Sequence, residues 1–502
     1  MELDSNFCKI FCCGISEVKK AAVPVECSII LPDYFPDVMK ILRYTAKTVK
    51  YPVLSEEERK TVSGNVRIEV NYVSEEGELC SCSQLQPFSH SFNCGENVAA
   101  AEAEISVGEI GCRAVNKRRI DLHGNIEILL KTLCGEEKKL VSSAKGAGTV
   151  CKTENTETVV FAGEFYKNFS LEEKGELGYG KPGFGKVLRA ASVGEVTECH
   201  VIQDKIVTKG EIRTEILWAG ENSSENVENG PFLSKFVFPV SRMVDAKGIL
   251  LTDICDARYE VDFPEIIPLE DGQNIIVKLK VGIFARVYRK EPAEFVSDMF
   301  STDYDIKTET EKITFVNKAF PVSVTEKLSE KIELPEAVEE VTDIWAESEI
   351  PEISSEGKIK TGTKICLFAK DLDGMPVYFE KTFAKETDFL ENRKNIAFCN
   401  LSVVPKNMEF VLTKDRKAEI SAEMLVDGTA FCSLSTDAVA ECSVSTENKI
   451  EHGDFSVLLC YAEKGERIWD IAKKHRTSVE NIMKENGLSE ETVSERKMIV
   501  IT

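Results

Sequence analysis

Positive charge is what this chain has too little of: 62 Lys and Arg stand against 85 Asp and Glu among 502 residues, a formal net charge of -23 at pH 7. Such a molecule repels nucleic acid and anionic lipid over a Debye length, which excludes polyanions as partners of the whole. Histidine is scarce as well, with 5 residues. His123 falls on the polar phase of a strand-like segment, His200 follows Cys199, and His475 closes a helix-like segment whose dipole favours a cation. None has a sequence context that suggests a nucleophile partner, so general acid-base chemistry has no visible agent. Long apolar runs are absent too: no segment approaches the roughly 18 residues of a membrane span, and direct membrane insertion is not expected. The opening MELDSNFCKIFCCGISEVKK carries acids where an export signal needs Lys or Arg. An odd number of cysteines, 17, then fits free thiols in a reducing cytosol better than a disulfide framework. The expectation is a protein that stays in the cell that makes it.

What is present is alternation. In VSGNVRIEVNY, Val62, Gly64, Val66, Ile68, Val70 and Tyr72 face one way while Ser63, Asn65, Arg67, Glu69 and Asn71 face the other, which predicts a half-buried strand. The phase returns in IVTKGEIRTEILW, with Gly210 standing 146 residues after Gly64, and more weakly in GKIKTGTKICLF, where Gly362 falls one residue out of register. Each copy is followed by a turn (Glu75-Glu76-Gly77, Gly220 to Ser224, Asp371 to Gly374) and a returning strand (PFSHSF, PFLSKFVF, PVYFEKTF), so each reads as a hairpin. A short amphipathic piece precedes each: PDVMKILRYTAKTV, GKVLRAASVGEV and EAVEEVTDIWAESE. A second alternating strand closes each unit, from Ile120, Val277 and Ala418, and KTENTETVVF and KTETEKITF recur as trailing signatures ending at Phe161 and Phe315. The economical account is a mainly β chain of three tandem units: residues 1–24 as an N-terminal segment, then units at 25–161, 176–316 and 330–445.

The end of the chain is different. From Leu458 to Ile501 the order is a short strand, the turn EKGER, a helix IWDIAKKH, a Thr477-Ser478 break, a second helix VENIMKEN, a polar loop and a last strand. Ile468, Trp469, Ala472, Val479, Ile482 and Met483 have the helical spacing of one small core, and Thr477 or Ser478 is placed to cap the second helix with Glu480 behind it. A small βααβ domain over 455–502 is expected, formally neutral with 8 basic and 8 acidic residues, so the units carry all of the charge.

Two family resemblances rest on these patterns. The three units, through FPDVMKIL and VSGNVRIEVNY, resemble the SPOCS domain of sporulation coat proteins. The ending, through KGERIWDIAKKH and the turn Glu485 to Leu488, resembles a LysM module. LysM modules commonly hold N-acetylglucosamine polymers, and the resemblance puts the groove here between Gly465, Glu466, Arg467 and Ile468 on one side and Asn486, Gly487, Leu488 and Ser489 on the other. Two departures stand out. Glu466-Arg467 occupies a place where the family commonly has Asp-Thr or Asp-Ser, and Glu495-Arg496-Lys497 stands where a glycine turn is common. Both favour charged protein contacts over sugar hydroxyls. The order of SPOCS units then LysM resembles coat morphogenetic proteins whose LysM module contacts stage IV sporulation protein A, the ATPase of the coat basement. The resemblance therefore implies a non-enzymatic scaffold in the mother-cell cytosol at the forespore surface, with that ATPase and other coat proteins as partners. The alternative is a peptidoglycan or N-acetylglucosamine binder acting at cortex or wall.

Enzyme-like motifs are outweighed by duller readings. GKPGFGKV, residues 180 to 187, has Val187 where a phosphate loop needs a hydroxyl for Mg²⁺, and a charged LEEKGELGY where it needs a buried strand. Cys80, Cys82, His90 and Cys94 match no zinc spacing and read as small residues of a hairpin. Cys8, Cys12 and Cys13 fall in the N-terminal segment. No cofactor and no metal are expected, and Trp469 reads as core packing before sugar stacking.

Overall fold

The computed structural model describes residues 3–56, 58–95, 98–178, 181–221, 230–334, 338–349, 351–353, 358–387, 395–413, 417–450 and 457–501. Nearly all of it is antiparallel strand, and the two helices of the described residues lie in the closing segment. One pairing scheme occurs three times. A long opening strand (Asp4–Ile30, Thr149–Glu176, Tyr304–Glu333) pairs with a long closing strand (Arg119–Lys145, Asn274–Ser301, Lys417–Lys449), whose other edge takes a shorter strand (Val98–Asn116, Ile254–Val261, Ile396–Leu412). Between them in sequence, a second sheet forms around Arg59–Ser74, Lys205–Gly220 and Ile359–Asp371, each flanked by the strand before it and its hairpin return.

The two sheets of each unit face each other because their alternating apolar residues have nowhere else to go. Val66, Ile68, Ile126 and Ile128 meet in the first unit, Ile212, Trp218, Val277 and Ile283 in the second, and Ile365, Leu367, Ile420 and Met424 in the third. The glycines that marked the repeat have a steric cause. A Cβ on Gly64 would lie 2.2 Å from the Val49 carbonyl oxygen, and one on Gly210 would lie 1.9 Å from that of Glu195. The preceding strand crosses too closely at both places for any side chain. At Gly362, which is one residue out of phase, the nearest atom belongs instead to the Glu349 side chain.

The strands differ from the sequence expectation in extent. Residues 4–24 run without a break into Asp4–Ile30, which pairs with Arg119–Lys145 from end to end, and Cys8 and Cys12 pack in its apolar seam. The signatures ending at Phe161 and Phe315 do not trail their units; each lies in the long strand that opens the next one. The outer halves of the three long ribbons reach beyond the sandwiches and bundle into a stalk. Its seam is built from Ile10, Leu140, Phe295, Ile313, Phe315 and Ala438, and continues through Val141, Val296, Met299 and Val439.

The central hairpin strands are also more buried than alternation implies. The supposedly polar face of Arg59–Ser74 ends in buried Glu69 and Asn71, because the hairpin sheets of the three units meet there. Leu79, Leu188, Leu217, Trp345 and Phe368 form that junction. Arg43, Arg189 and Asp343 follow the same bulge in the three preceding strands, two cations and one anion at corresponding places. Arg189 Nε donates to Asp343 Oδ2 at 2.6 Å, with the two side chains 2% and 0% exposed. Arg43 donates to Glu347 at 2.7 Å, and both guanidinium groups lie over the Trp345 ring, at 5.0 and 4.5 Å from its centre. A third cation here would have left buried charge unpaired.

The first and second units are joined by Glu102, which takes Arg258 and Arg286 at 2.7 Å each. Burial alone would raise the Glu102 carboxyl, but Arg286, Arg258 and Lys50 outweigh it and hold it far below its ordinary range. A carboxylate depressed in the folded state stabilises above its unfolded pKa and loses that contribution as pH falls through the folded value. Glu102→Gln should therefore cost about 3 kcal/mol at neutral pH, since it takes the carboxylate from Arg258 and leaves the buried Arg286 with only Glu164 at 3.4 Å. Urea midpoints measured against pH should show the gap between wild type and variant narrowing as the solution is acidified below the carboxylate range.

Candidate binding module

The closing segment folds locally. Leu458–Ala462 pairs with Lys497–Ile501, and the helices Ile468–His475 and Val479–Asn486 cover one side of that ribbon. Ala462, Ile468, Ile471, Ala472, Ile482, Val493, Ile499 and Ile501 are its core. Ser478 caps the second helix, accepting from the Asn481 N–H at 3.1 Å, so the residue three places on is Asn481 and Glu480 closes no capping box. Gly487 ends that helix in the left-handed region, at φ 59°. His475 does not gain a proton from its helix terminus: burial and then Lys474 push its imidazole down.

The turn after the first strand is zipped to the loop before the last one. Gly465 N–H donates to Val493 O at 2.8 Å, Val493 N–H to Glu466 O at 2.9 Å, and Ile468 N–H to Glu491 O at 2.8 Å. Thus the surface beside Gly465–Ile468 is formed by residues 491–493, whereas the hydrogen bonds of the expected opposite wall run elsewhere. Asn486 donates to the Ile482 and Val500 carbonyls and accepts from the Val500 N–H, welding the second helix to the last strand. Ile468 is fully buried and Leu488 packs half-buried on the core. Of the eight residues named from the sequence, Gly465, Arg467, Gly487 and Ser489 are exposed, with Glu466 half-buried. Arg467 is 58% exposed and grips Asp470 through two hydrogen bonds of 2.8 and 3.2 Å. Arg496 extends the charged edge, pairing with Glu463 at 3.2 Å and lying 5.7 Å from the centre of the exposed Tyr461 ring.

Trp469 is buried, as core packing implies, but part of its cover comes from the stalk. Its ring meets Phe300 edge-on at 5.2 Å and its indole N–H donates to Asp298 Oδ2 at 2.8 Å. Lys473 donates to Asp298 Oδ1 at 2.6 Å, and Arg476 reaches the Ser301 carbonyl at 3.1 Å and Asp305 at 3.2 Å. One face of the first helix is thereby committed to the stalk tip. Sequence reasoning missed Asp298, Phe300, Ser301 and Asp305 because they precede the helix by about 170 residues and carry no local mark.

The other candidates take structural places. Cys80 and Cys82 are buried, and Lys186, from the loop-like GKPGFGKV, pairs with Glu78 at 2.9 Å at the start of a strand; Gly180 lies outside the described residues. Among the described residues no group of three or more His, Cys, Asp or Glu could hold a metal ion, and no helix is long and apolar enough to cross a membrane.

Residues 463–502 match the LysM domain family. They form a LysM domain. No curated protein and no solved structure matches the chain. In this LysM domain the charged turn is open to solvent while the aromatic residue of the first helix is plugged into the body.

Burial alone would raise the Asp298 carboxyl, but the hydrogen bonds from Lys473 and Trp469 hold it below its ordinary value. Its contribution to the seam is present above the unfolded carboxylate pKa and is lost as pH falls through the folded one. Asp298→Asn should uncouple the domain from the stalk at neutral pH. Calorimetry of the full chain should then show a separate, earlier LysM transition in the variant, which wild type shows only after acidification below about pH 4.

Proposed function

We propose that this chain is a non-enzymatic scaffold whose LysM domain grips a protein. The observation that carries the reading is the Arg467–Asp470 pair, an exposed bidentate ion pair at the mouth of the turn, where a sugar reader would use compact hydroxyls. The Trp469 ring cannot stack on a sugar while it sits against Phe300. Exposed and mutually oriented charges suit the rim of a protein interface, where they set partner choice and association rate.

The three strand-built units are read as SPOCS-like on the FPDVMKIL and VSGNVRIEVNY patterns, with limits near 25–161, 176–316 and 330–445. On that basis the partner is the stage IV sporulation protein A-like ATPase of the coat basement. The place of action is the mother-cell cytosol at the forespore surface, where the acidic units recruit further coat proteins. The glycan reading makes a different prediction for the same material. Full-length protein, wild type and Arg467→Ala, is incubated separately with insoluble peptidoglycan and with the purified ATPase. Wild type should bind the ATPase and stay in the supernatant above peptidoglycan. The variant should bind the ATPase about tenfold more weakly, as expected for loss of one charged contact worth ~1.4 kcal/mol. Pelleting with peptidoglycan and indifference to the ATPase would overturn the proposal.

A further inference from the structure

The second unit holds a pair of thiols that no function described above uses. Cys199 lies on Phe184–Ile202, opposite Thr208 in the hairpin sheet, and Cys255 lies on Ile254–Val261, opposite Val287 in the sheet of long strands. The two sheets approach at this edge, and the sulfurs are 2.9 Å apart and hydrogen-bonded. That is within about 1 Å of a covalent S–S pair. Both side chains are half-buried against the core of the unit, so a small reagent can reach them. Tyr259 is packed in the same core, its hydroxyl donating to Thr208 at 3.1 Å, which fixes the two strands in register across the gap.

We propose that Cys199 and Cys255 are a thiol–disulfide site, which a small-molecule disulfide such as oxidised glutathione converts into a staple between the two sheets of the second unit. The hydrogen bond with Cys199, and then burial, push the Cys255 thiol up. The Cys199 thiolate attacks one sulfur of the reagent, its S–S bond breaks, and the first glutathione leaves as thiolate and takes up a proton. Cys255 then gives its proton to water and attacks the Cys199 sulfur of the mixed disulfide, releasing the second glutathione. Two electrons pass from the protein to the reagent, which departs as two thiols.

The test uses the full chain, treated with increasing oxidised glutathione, denatured, alkylated and digested with trypsin. Cys199 falls in the fragment 190–205 and Cys255 in 248–258. The two fragments should appear joined, lighter by two hydrogens than their sum, at concentrations where the buried Cys80 and Cys366 are still fully alkylated. Dithiothreitol should separate them again. Cys199→Ser and Cys255→Ser should each abolish the joined species, Cys399→Ser should retain it, and the oxidised wild type should melt at a higher temperature than the reduced one. The proposal is overturned if both fragments are alkylated at every concentration, or if Cys199 keeps a glutathione adduct without ever joining Cys255.

Discussion

The arrangement depends on a burial problem that single units cannot solve. Each long ribbon extends past its own sandwich with an apolar face, and a two-stranded ribbon by itself is marginal in water. Three such ribbons cover one another through Phe295, Phe315, Leu140 and their neighbours. The stalk that results brings the turns at Gly146–Thr149 and Ser301–Tyr304 to one end, where Ser301 donates to the Ala147 carbonyl at 2.5 Å. The LysM domain stands on that end, with Val150 and Phe300 completing its core. Its placement is a consequence of strand length.

Charge is spent differently in the two regions. Between units, ions are buried or half-buried and matched: Glu102 with Arg258 and Arg286, Arg189 with Asp343, and Lys406 with Glu195 at 2.5 Å. Such pairs add little net stability over apolar packing but leave an unpaired charge if the units are assembled wrongly. At the LysM turn the pairs are exposed, where they are worth little to folding and are open to exchange with a partner's charges. The division fits a body held in one arrangement and a tip that binds.

Local pattern showed what local interactions decide. The alternation from Val62 to Tyr72, the hairpin turns at Gly77 and Gly374 and the βααβ order were all legible, since each is settled within a few residues. Extent and partner were not. A two-residue period looks the same in a sandwich and in a stalk, so nothing local marks that residues 4–24 and the segments ending at Phe161 and Phe315 belong to the long strands Asp4–Ile30, Thr149–Glu176 and Tyr304–Glu333. The buried junction did leave a trace in the repeat alignment: Leu42-Arg43, Leu188-Arg189 and Thr342-Asp343 stand at matching places, a cation exchanged for an anion in the third copy. The role of Asn486 was hidden for another reason. Asn486 looks like an exposed loop amide in sequence, but its carboxamide is consumed by three backbone groups, the Ile482 carbonyl and the carbonyl and N–H of Val500.

The central claim is that the LysM domain is seated on the stalk through Trp469 and does not hang from a free tether. Solvent exchange of the Trp469 indole N–H, followed in the full chain by nuclear magnetic resonance, tests it most directly. A proton held between the ring and Asp298 should exchange far more slowly than an exposed indole, on a par with the buried indole of Trp218, which donates to Ser234 at 3.1 Å. Exchange of the Trp469 proton at the rate of a free indole would contradict the account.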